Sequence, residues 1–264
     1  MNQSNETRGR STIITRHDIK EALAKLGLKH EDTLLVYGDL SADVHVVGGA
    51  QTILEALYEE VGYYTTIVMP AHQTGGRGPS FFNQDLEPEI LEAEKAQGPA
   101  FDPESSAVGG GKLSQLFAQS RNTIRSNHPI ASFLAKGRKA DWFMSAHQLD
   151  SMFGFGSPLQ KLYAQQAKVL CVNADYEAIT ALHLADYFKK TAPLKEHEAI
   201  ISQNGKRSLI SFQDRDFDAS NFKELGAKFE KISAVAKAQA GQLSLAAFDY
   251  QALIDFAAKE QETA

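Results

Sequence analysis

Two short apolar runs, Thr33-Leu34-Leu35-Val36-Tyr37 and Thr66-Ile67-Val68-Met69, bracket a segment whose apolar residues Ile53, Leu54, Leu57 and Val61 recur at helical spacing. Runs of four or five β-prone residues bounded by polar ones read as buried strands, and the three- and four-residue spacing between them reads as an amphipathic helix. Strand, helix, strand in this order requires a crossover and therefore a parallel strand pair, which puts the chain among the α/β folds. Pro70 stops the second strand, and Gly48-Gly49 marks the loop before the helix.

A third apolar run, Lys168 to Val172, leads through Asn173-Ala174-Asp175 into an Ala-rich segment, Glu177 to Lys189, that reads as a helix. In open α/β sheets ligands sit at such carboxyl ends of strands. Upstream, Thr15 with Asp18 three residues on predicts a capped helix start, Ile19, Leu23 and Leu26 its buried face, and Gly27 its end. Downstream, Ala199-Ile200-Ile201 and Ser208 to Phe212 flank Asn204-Gly205, a hairpin signal. Two helical patterns follow, Phe222 to Lys237 and Leu245 to Lys259. The stretch from Ala71 to Gly111 has no clear period and holds four of the eight prolines, so it is expected to be a lid or binding loop. At 264 residues the chain has room for one large α/β domain, expected over residues 12–264, with the polar residues 1–11 disordered.

Charge and cysteine content narrow the function classes. With 27 Lys and Arg against 33 Asp and Glu, the net charge of -6 offers no cationic field for nucleic acid or an anionic membrane, and suits a cationic small molecule better. One cysteine, Cys171, excludes an internal disulfide and any thiolate cage. The start lacks the apolar core of a secretion signal, so a cytoplasmic protein is expected, with assembly into a homo-oligomer left open.

The most informative segment is Thr180-Ala181-Leu182-His183-Leu184-Ala185-Asp186. Positions three apart share a helix face, so Thr180, His183 and Asp186 form one polar stripe. A carboxylate beside an imidazole fixes its tautomer and raises its basicity, as a general base requires. Taken alone, the pattern also describes a His–Asp pair on a solvated helix face. His128, in Arg125-Ser126-Asn127-His128-Pro129, precedes a proline and is restricted to extended backbone; it either contacts a ligand or holds its loop. Gly48-Gly49 at a helix start offers N–H donors to an anion, or simply a tight turn. No metal is expected, because the eight His residues form no His-Glu-x-x-His array and His183 with Asp186 supplies at most two ligands. Ser157, in Gly154-Phe155-Gly156-Ser157-Pro158, lacks the glycine spacing of a nucleophile elbow and is expected to cap a helix starting at Pro158.

In order along the chain, six landmarks resemble the aminoglycoside 3-N-acetyltransferase family: Val46 to Ala50, Val68 to His72, Pro99 to Pro103, Arg125 to Phe133, Ser157-Pro158-Leu159 with Leu162-Tyr163, and Thr180 to Ala185. The resemblance implies a compact α/β domain with a mixed, largely parallel sheet flanked by helices, the hairpin and further helices filling the C-terminal part. It implies metal-free transfer of acetyl from acetyl-CoA to an amine of an aminoglycoside or similar polyamine, with His183 as general base and Asp186 as its acid; the oxyanion of the tetrahedral intermediate needs donors, for which Thr180 or nearby backbone N–H groups are the candidates. The coenzyme is expected against Tyr37, Gly38 and Asp39 and against Val47, Gly48 and Gly49, with Ser126 and His128 assigned to the same side. His72, Asp102 and Glu104 are the candidates for the acceptor cleft. Two departures stand out. The family usually reads His-Ser-Ser where this chain has Tyr37-Gly38-Asp39, which removes hydroxyls and adds a carboxylate near the expected phosphates, and it usually has Glu where this chain has Asp186. Readings from other classes are a CoA- or amine-binding protein without turnover, and a thioester hydrolase.

Overall fold

The strand, helix, strand unit forms as the sequence predicts. In the computed structural model, which describes residues 13–40, 44–72, 87–189 and 192–263, β1 (Leu34–Gly38) and β2 (Ile67–Pro70) pair in parallel and α2 (Gly49–Val61) crosses between them. The helix before them, α1 (Arg16–Ala24), starts at the expected capping box: Thr15 accepts from the Asp18 amide while the Asp18 carboxylate accepts from the Thr15 amide.

The remaining elements are α3 (Pro88–Gln97), α4 (Gly111–Ala118), β3 (Ile124–Arg125), β4 (Phe133–Lys136), α5 (Ala140–Met144), α6 (Pro158–Ala164), β5 (Lys168–Val172), β6 (Leu194–Gln203), β7 (Lys206–Arg215), α7 (Phe222–Ile232), β8 (Ala236–Ala240), β9 (Leu243–Asp249) and α8 (Tyr250–Thr263). Seven strands form one sheet in the order β3-β4-β2-β1-β5-β9-β8, and β6 and β7 form a separate hairpin. The sheet is mixed, but parallel pairing is confined to β2-β1-β5; the flanking β3, β4, β9 and β8 all pair antiparallel, so the expectation of a largely parallel sheet holds for its centre alone.

Side chains alternate across the sheet and build two apolar layers. Leu35, Tyr37, Val68, Phe133, Val169 and Cys171 face one, and Leu34, Val36, Ile67, Met69, Leu170 and Val172 face the other. The first layer carries the site. At the hairpin tip, Asn204 and Gly205 both have positive φ (55° and 73°), the type I′ geometry that Asn-Gly predicts. Ser157 caps α6, accepting from the Gln160 amide, with Pro158 at the first helical position.

Three expectations are corrected. The helical pattern from Phe222 ends at Ile232, and the one from Leu245 begins at Tyr250; between them lies the β8–β9 hairpin. Alanine is a good helix former, yet Ala236 to Ala240 and Leu243 to Ala247 alternate in burial, and β5 offers β9 an edge against which Leu245 to Asp249 pair. The segment from Glu177 to Lys189 is not an α-helix but two 3-10 turns, Tyr176–Ala178 and Thr180–Tyr187. The stretch from Ala71 to Gly111 is not without structure: Pro88 opens α3, and Phe101 bridges to Ile201 of the hairpin. Within that expected lid residues 73–86 lie outside the described residues, as does the expected disordered start, Met1 to Ser11.

Gly137, in the turn from β4 to α5, has φ +126°, and a Cβ there would lie 2.2 Å from the Thr65 carbonyl oxygen and 2.6 Å from the Thr66 Cα. Backbone cannot yield as a side-chain tip can. Gly137→Ala is therefore expected to destabilise the protein by about 3 kcal/mol, the upper end of overpacking costs, because backbone strain adds to the clash. A urea titration of both proteins checks it; an unchanged midpoint contradicts the clash.

Candidate active site

The carboxyl ends of β1 and β2 and the turn after β5 bring three polar side chains together. Tyr37, the fourth residue of β1, points into the first apolar layer, where its Oη accepts from the Ala181 amide at 2.9 Å and lies 3.1 Å from Thr180 Oγ1. His72 follows β2, and its Nε2 lies 2.8 Å from the same Thr180 hydroxyl. Tyr37 already receives the Ala181 N–H, so its own proton is directed at Thr180. Burial pushes the Tyr37 phenol far above its ordinary pKa, which keeps it a neutral donor. Tyr37, Gly38, Asp39, His72 and Thr180 all line one cavity of about 530 Å³.

A 3-10 turn repeats every three residues, so Thr180, His183 and Asp186 are nearly eclipsed, a closer alignment than the predicted α-helix would give. His183 Nδ1 lies 3.1 Å from Asp186 Oδ2, while Asp186 Oδ1 accepts from Gln261 Nε2 at 3.3 Å and faces Lys189 Nζ at 3.7 Å. With Nδ1 engaged by the carboxylate, Nε2 is the nitrogen left for proton exchange. The histidine is not solvent-exposed as a site histidine is expected to be: it is 4% exposed and does not line the cavity of Tyr37 and Thr180. Phe153 stacks on its ring at 5.2 Å between centroids, and Phe217 and Phe222 stand at 4.9 and 4.7 Å. His72 packs edge-on against the same Phe153 at 5.6 Å, so one aromatic ring touches both imidazoles.

Phe153 is held by groups with no local sequence signal. Buried Asp214, near the end of β7, accepts from the Met152 amide at 2.7 Å and from the Tyr187 hydroxyl at 2.6 and 2.8 Å, and the Phe153 amide approaches that hydroxyl at 3.4 Å. Burial raises the Asp214 carboxyl, and these donors hold it down in part. Asp214 is 28 residues from Asp186 and in a different element. Its role exists only in three dimensions. Arg125 is a second such group: its guanidinium donates to the Ser106 and Ala71 carbonyls at 2.7 Å each and to Ser132, tying the segment after α3 to the end of β2. Burial lowers its pKa to about 10.

Several assigned residues stand elsewhere. Ser126 and His128, expected on the coenzyme side, are fully buried and do not line the Tyr37 cavity. His128 Nδ1 accepts from the Ile130 and Ala131 amides at 3.1 and 3.0 Å, and its Nε2 donates to the Leu149 carbonyl at 3.2 Å, so the ring holds its own loop. Ser126 accepts from the Phe133 amide and bonds His147 Nδ1 at 3.0 Å. Val47, Gly48 and Gly49 lie at the start of α2, where Gly48 takes φ +78° as N-cap and Thr52 donates to the Val47 carbonyl; none of the three lines the Tyr37 cavity. Asp102 and Glu104 lie on an exposed turn, with Asp102 accepting from the Glu104 amide and the Ser105 hydroxyl, away from that cavity. Asp39 does line the cavity, but its Oδ1 accepts from the Leu40 amide at 2.8 Å and approaches the Lys112 amide at 3.4 Å in the first turn of α4. Among the described residues no cluster of three or more His, Cys, Asp or Glu could hold a metal ion, and no helix is long and apolar enough to cross a membrane. Burial pushes the Cys171 thiol up to about 12, so it stays protonated.

The family model described as aminoglycoside 3-N-acetyltransferase matches residues 35–262. The chain is 32% identical over 250 residues to the SPbeta prophage-derived aminoglycoside N(3')-acetyltransferase-like protein YokD of Bacillus subtilis, covering 93% of this chain and 91% of that protein. It is 34% identical over 231 residues to aminoglycoside N(3)-acetyltransferase IX of Micromonospora chalcea, covering 83% and 81%. The crystal structure of YokD superposes with a TM-score of 0.87 at 30% identity over 95% of this chain and 94% of that one. The structure of AAC-IIIb in a binary complex with CoASH superposes at 0.83 with 26% identity, over 96% and 97%.

Proposed function

The chain belongs to the aminoglycoside 3-N-acetyltransferase family, and from that premise we propose that it transfers acetyl from acetyl-CoA directly to an amine of an aminoglycoside or similar polyamine, with His183 as general base. The observation that carries this reading is the His183–Asp186 pair, formed within the family motif and shielded from water by three aromatic rings. An aliphatic amine is protonated near neutral pH and must lose a proton to attack a carbonyl carbon. His183 Nε2 takes that proton, while Nδ1–H stays on the Asp186 carboxylate, which stabilises the imidazolium that forms. As the new C–N bond closes and the C–S bond breaks, the thiolate leaves and is reprotonated. Thr180, polarised by Tyr37, supplies a hydroxyl from the cavity wall toward the charge that develops on the carbonyl oxygen. Cys171, buried and protonated, is not suited to carry a covalent acyl group.

The residues present fit an anionic coenzyme better than the sequence alone suggests. The Asp39 carboxylate is turned to the backbone amides of Leu40 and of the first turn of α4, where the helix dipole offsets its charge. Asp39→Ser tests the departure that the sequence shows at this position. The substitution should leave CoA affinity within about threefold and cost about 1 kcal/mol of stability through the lost capping bonds. Calorimetric titration with CoA and a thermal melt measure the two effects. A tenfold or greater gain in affinity would show that the carboxylate faces the phosphates instead.

The activity is tested by free-thiol release from acetyl-CoA with and without an aminoglycoside such as kanamycin. Release that depends on the amine is expected. Release without the amine would mean thioester hydrolysis, and no release would mean a binding role.

A further inference from the structure

In this conformation nothing reaches His183. Asp186 occupies its Nδ1 side, Phe153 lies stacked on the ring, Phe222 and Phe217 stand at 4.7 and 4.9 Å between centroids, and the residue is 4% exposed. An amine that is to hand its proton to Nε2 must displace one of the three rings, and the three are not equally free to yield. Phe153 is fully buried, with its segment tied through Met152 to Asp214. Phe222 is 1% exposed and is the first residue of α7. Phe217 also meets Tyr187 and His197 at 6.0 and 6.2 Å between centroids, but it is only partly buried and lies outside regular structure, between β7 and α7.

Resting on the reading of His183 as the base, we propose that Phe217 is the acceptor-side gate of this enzyme: its ring swings aside to admit the amine to His183 and closes again over the reacting pair. The segment on which it sits favours movement of the ring over movement of the backbone. Before it, the Asp216 amide donates to the Pro193 carbonyl and the Asp216 carboxylate pairs with Lys195 at 3.6 Å. After it, Asp218 accepts from both the amide and the hydroxyl of Ser220 at 2.8 Å. The backbone is thus pinned on both sides, and rotation of a single aromatic side chain needs no unfolding of the segment. In the closed position the ring meets Phe153 edge-on at 5.1 Å and His183 at 4.9 Å, contacts that favour closure and exclude water from the base.

The gate also bears on which acceptors enter. Asp216 and Asp218 flank Phe217 directly, and the bonds from Ser220 hold Asp218 below the usual carboxylate range. Of the two, Asp216 is paired with Lys195, so Asp218 is the carboxylate left to attract an ammonium arriving beside Phe217.

The test reads access to the imidazole directly and needs no turnover. Diethyl pyrocarbonate acylates neutral, accessible histidine, and peptide mass spectrometry of the intact protein after brief labelling gives the rate at each position. His128, fully buried and with both ring nitrogens committed to backbone partners, is the internal reference for general loosening. The ratio of His183 to His128 labelling should rise about tenfold or more in Phe217→Ala, with a smaller rise in Phe217→Leu, as expected when one local opening no longer has to be paid for by breaking aromatic contacts. An unchanged ratio, or a parallel rise at both histidines, overturns the gate. Failure of the transferase reading would appear instead as absent amine-dependent thiol release with the labelling ratio still responding to Phe217.

Discussion

Replacing His183 by asparagine is expected to lower acetyl transfer about 100- to 10,000-fold, the range that loss of a general base costs. Asparagine is the informative substitution because of where the ring sits. In the structure His183 is buried among Phe153, Phe217 and Phe222, so alanine opens a cavity and should cost a few kcal/mol of stability as well as activity. Asparagine keeps a polar group beside Asp186 with less loss of volume. The amine-dependent rate at saturating substrates, measured with a thermal melt of each variant, separates the two effects. Near-full turnover in His183→Asn would remove the histidine from the chemistry. Asp186→Asn should cost less than His183→Asn, because the imidazole remains and loses only its orienting charge. An equal or larger loss would mean that Asp186 contacts the cationic acceptor itself.

The second large effect is on stability in mild acid. His128 and His147 lie 4.6 Å apart between ring centroids, tilted by 40°, both buried, and each has its acceptor nitrogen committed. His128 Nδ1 faces two amide N–H groups, and His147 Nε2 donates to the Met152 carbonyl, which leaves its Nδ1 to accept from Ser126. A proton on either acceptor breaks these bonds and charges an apolar layer. Burial accordingly lowers His128 from 6.5 to about 4 and His147 well below its ordinary value. Because the folded-state values are lowered, the unfolded chain binds more protons below pH 6.5; stability is full above that pH and is lost as pH falls toward 4. His128 alone should cost about 2 kcal/mol between pH 8 and pH 5, with His147 adding to it. Urea midpoints at the two pH values check this, and His128→Asn, whose side-chain oxygen can still accept from the Ile130 amide, should flatten the dependence. Equal midpoints at pH 8 and pH 5 for the parent protein would contradict neutral, buried histidines. The loops involved lead into Met152 and Phe153, so acid loosening here would also release one wall of the His183 cage.

The elements whose folding information is local were legible in the amino-acid sequence. The capping box at Thr15, the apolar runs of β1, β2 and β5, the spacing in α2, the Asn-Gly turn between β6 and β7 and the cap at Ser157 each depend on residues within a few positions of one another. The stripe of Thr180, His183 and Asp186 belongs with them, since spacing by three survives the change from α-helix to 3-10 turn. What required tertiary structure was everything decided by a distant partner. Ala236 to Ala240 and Leu243 to Asp249 became strands because β5 offered an unpaired edge, against the helical preference of alanine. His128 takes amides two and three residues on, but the Leu149 carbonyl and the neighbouring His147 ring, from a later segment, bury it, and the Lys112 amide of α4 is what approaches the Asp39 carboxylate from a distance. The cage around His183 draws Phe153 from one stretch of chain and Phe217 and Phe222 from another, and Asp214, three residues before Phe217, ties the two together through the Met152 amide. Spacing along the chain can nominate a base; whether water or an aromatic ring lies against it depends on residues that only the folded chain brings together.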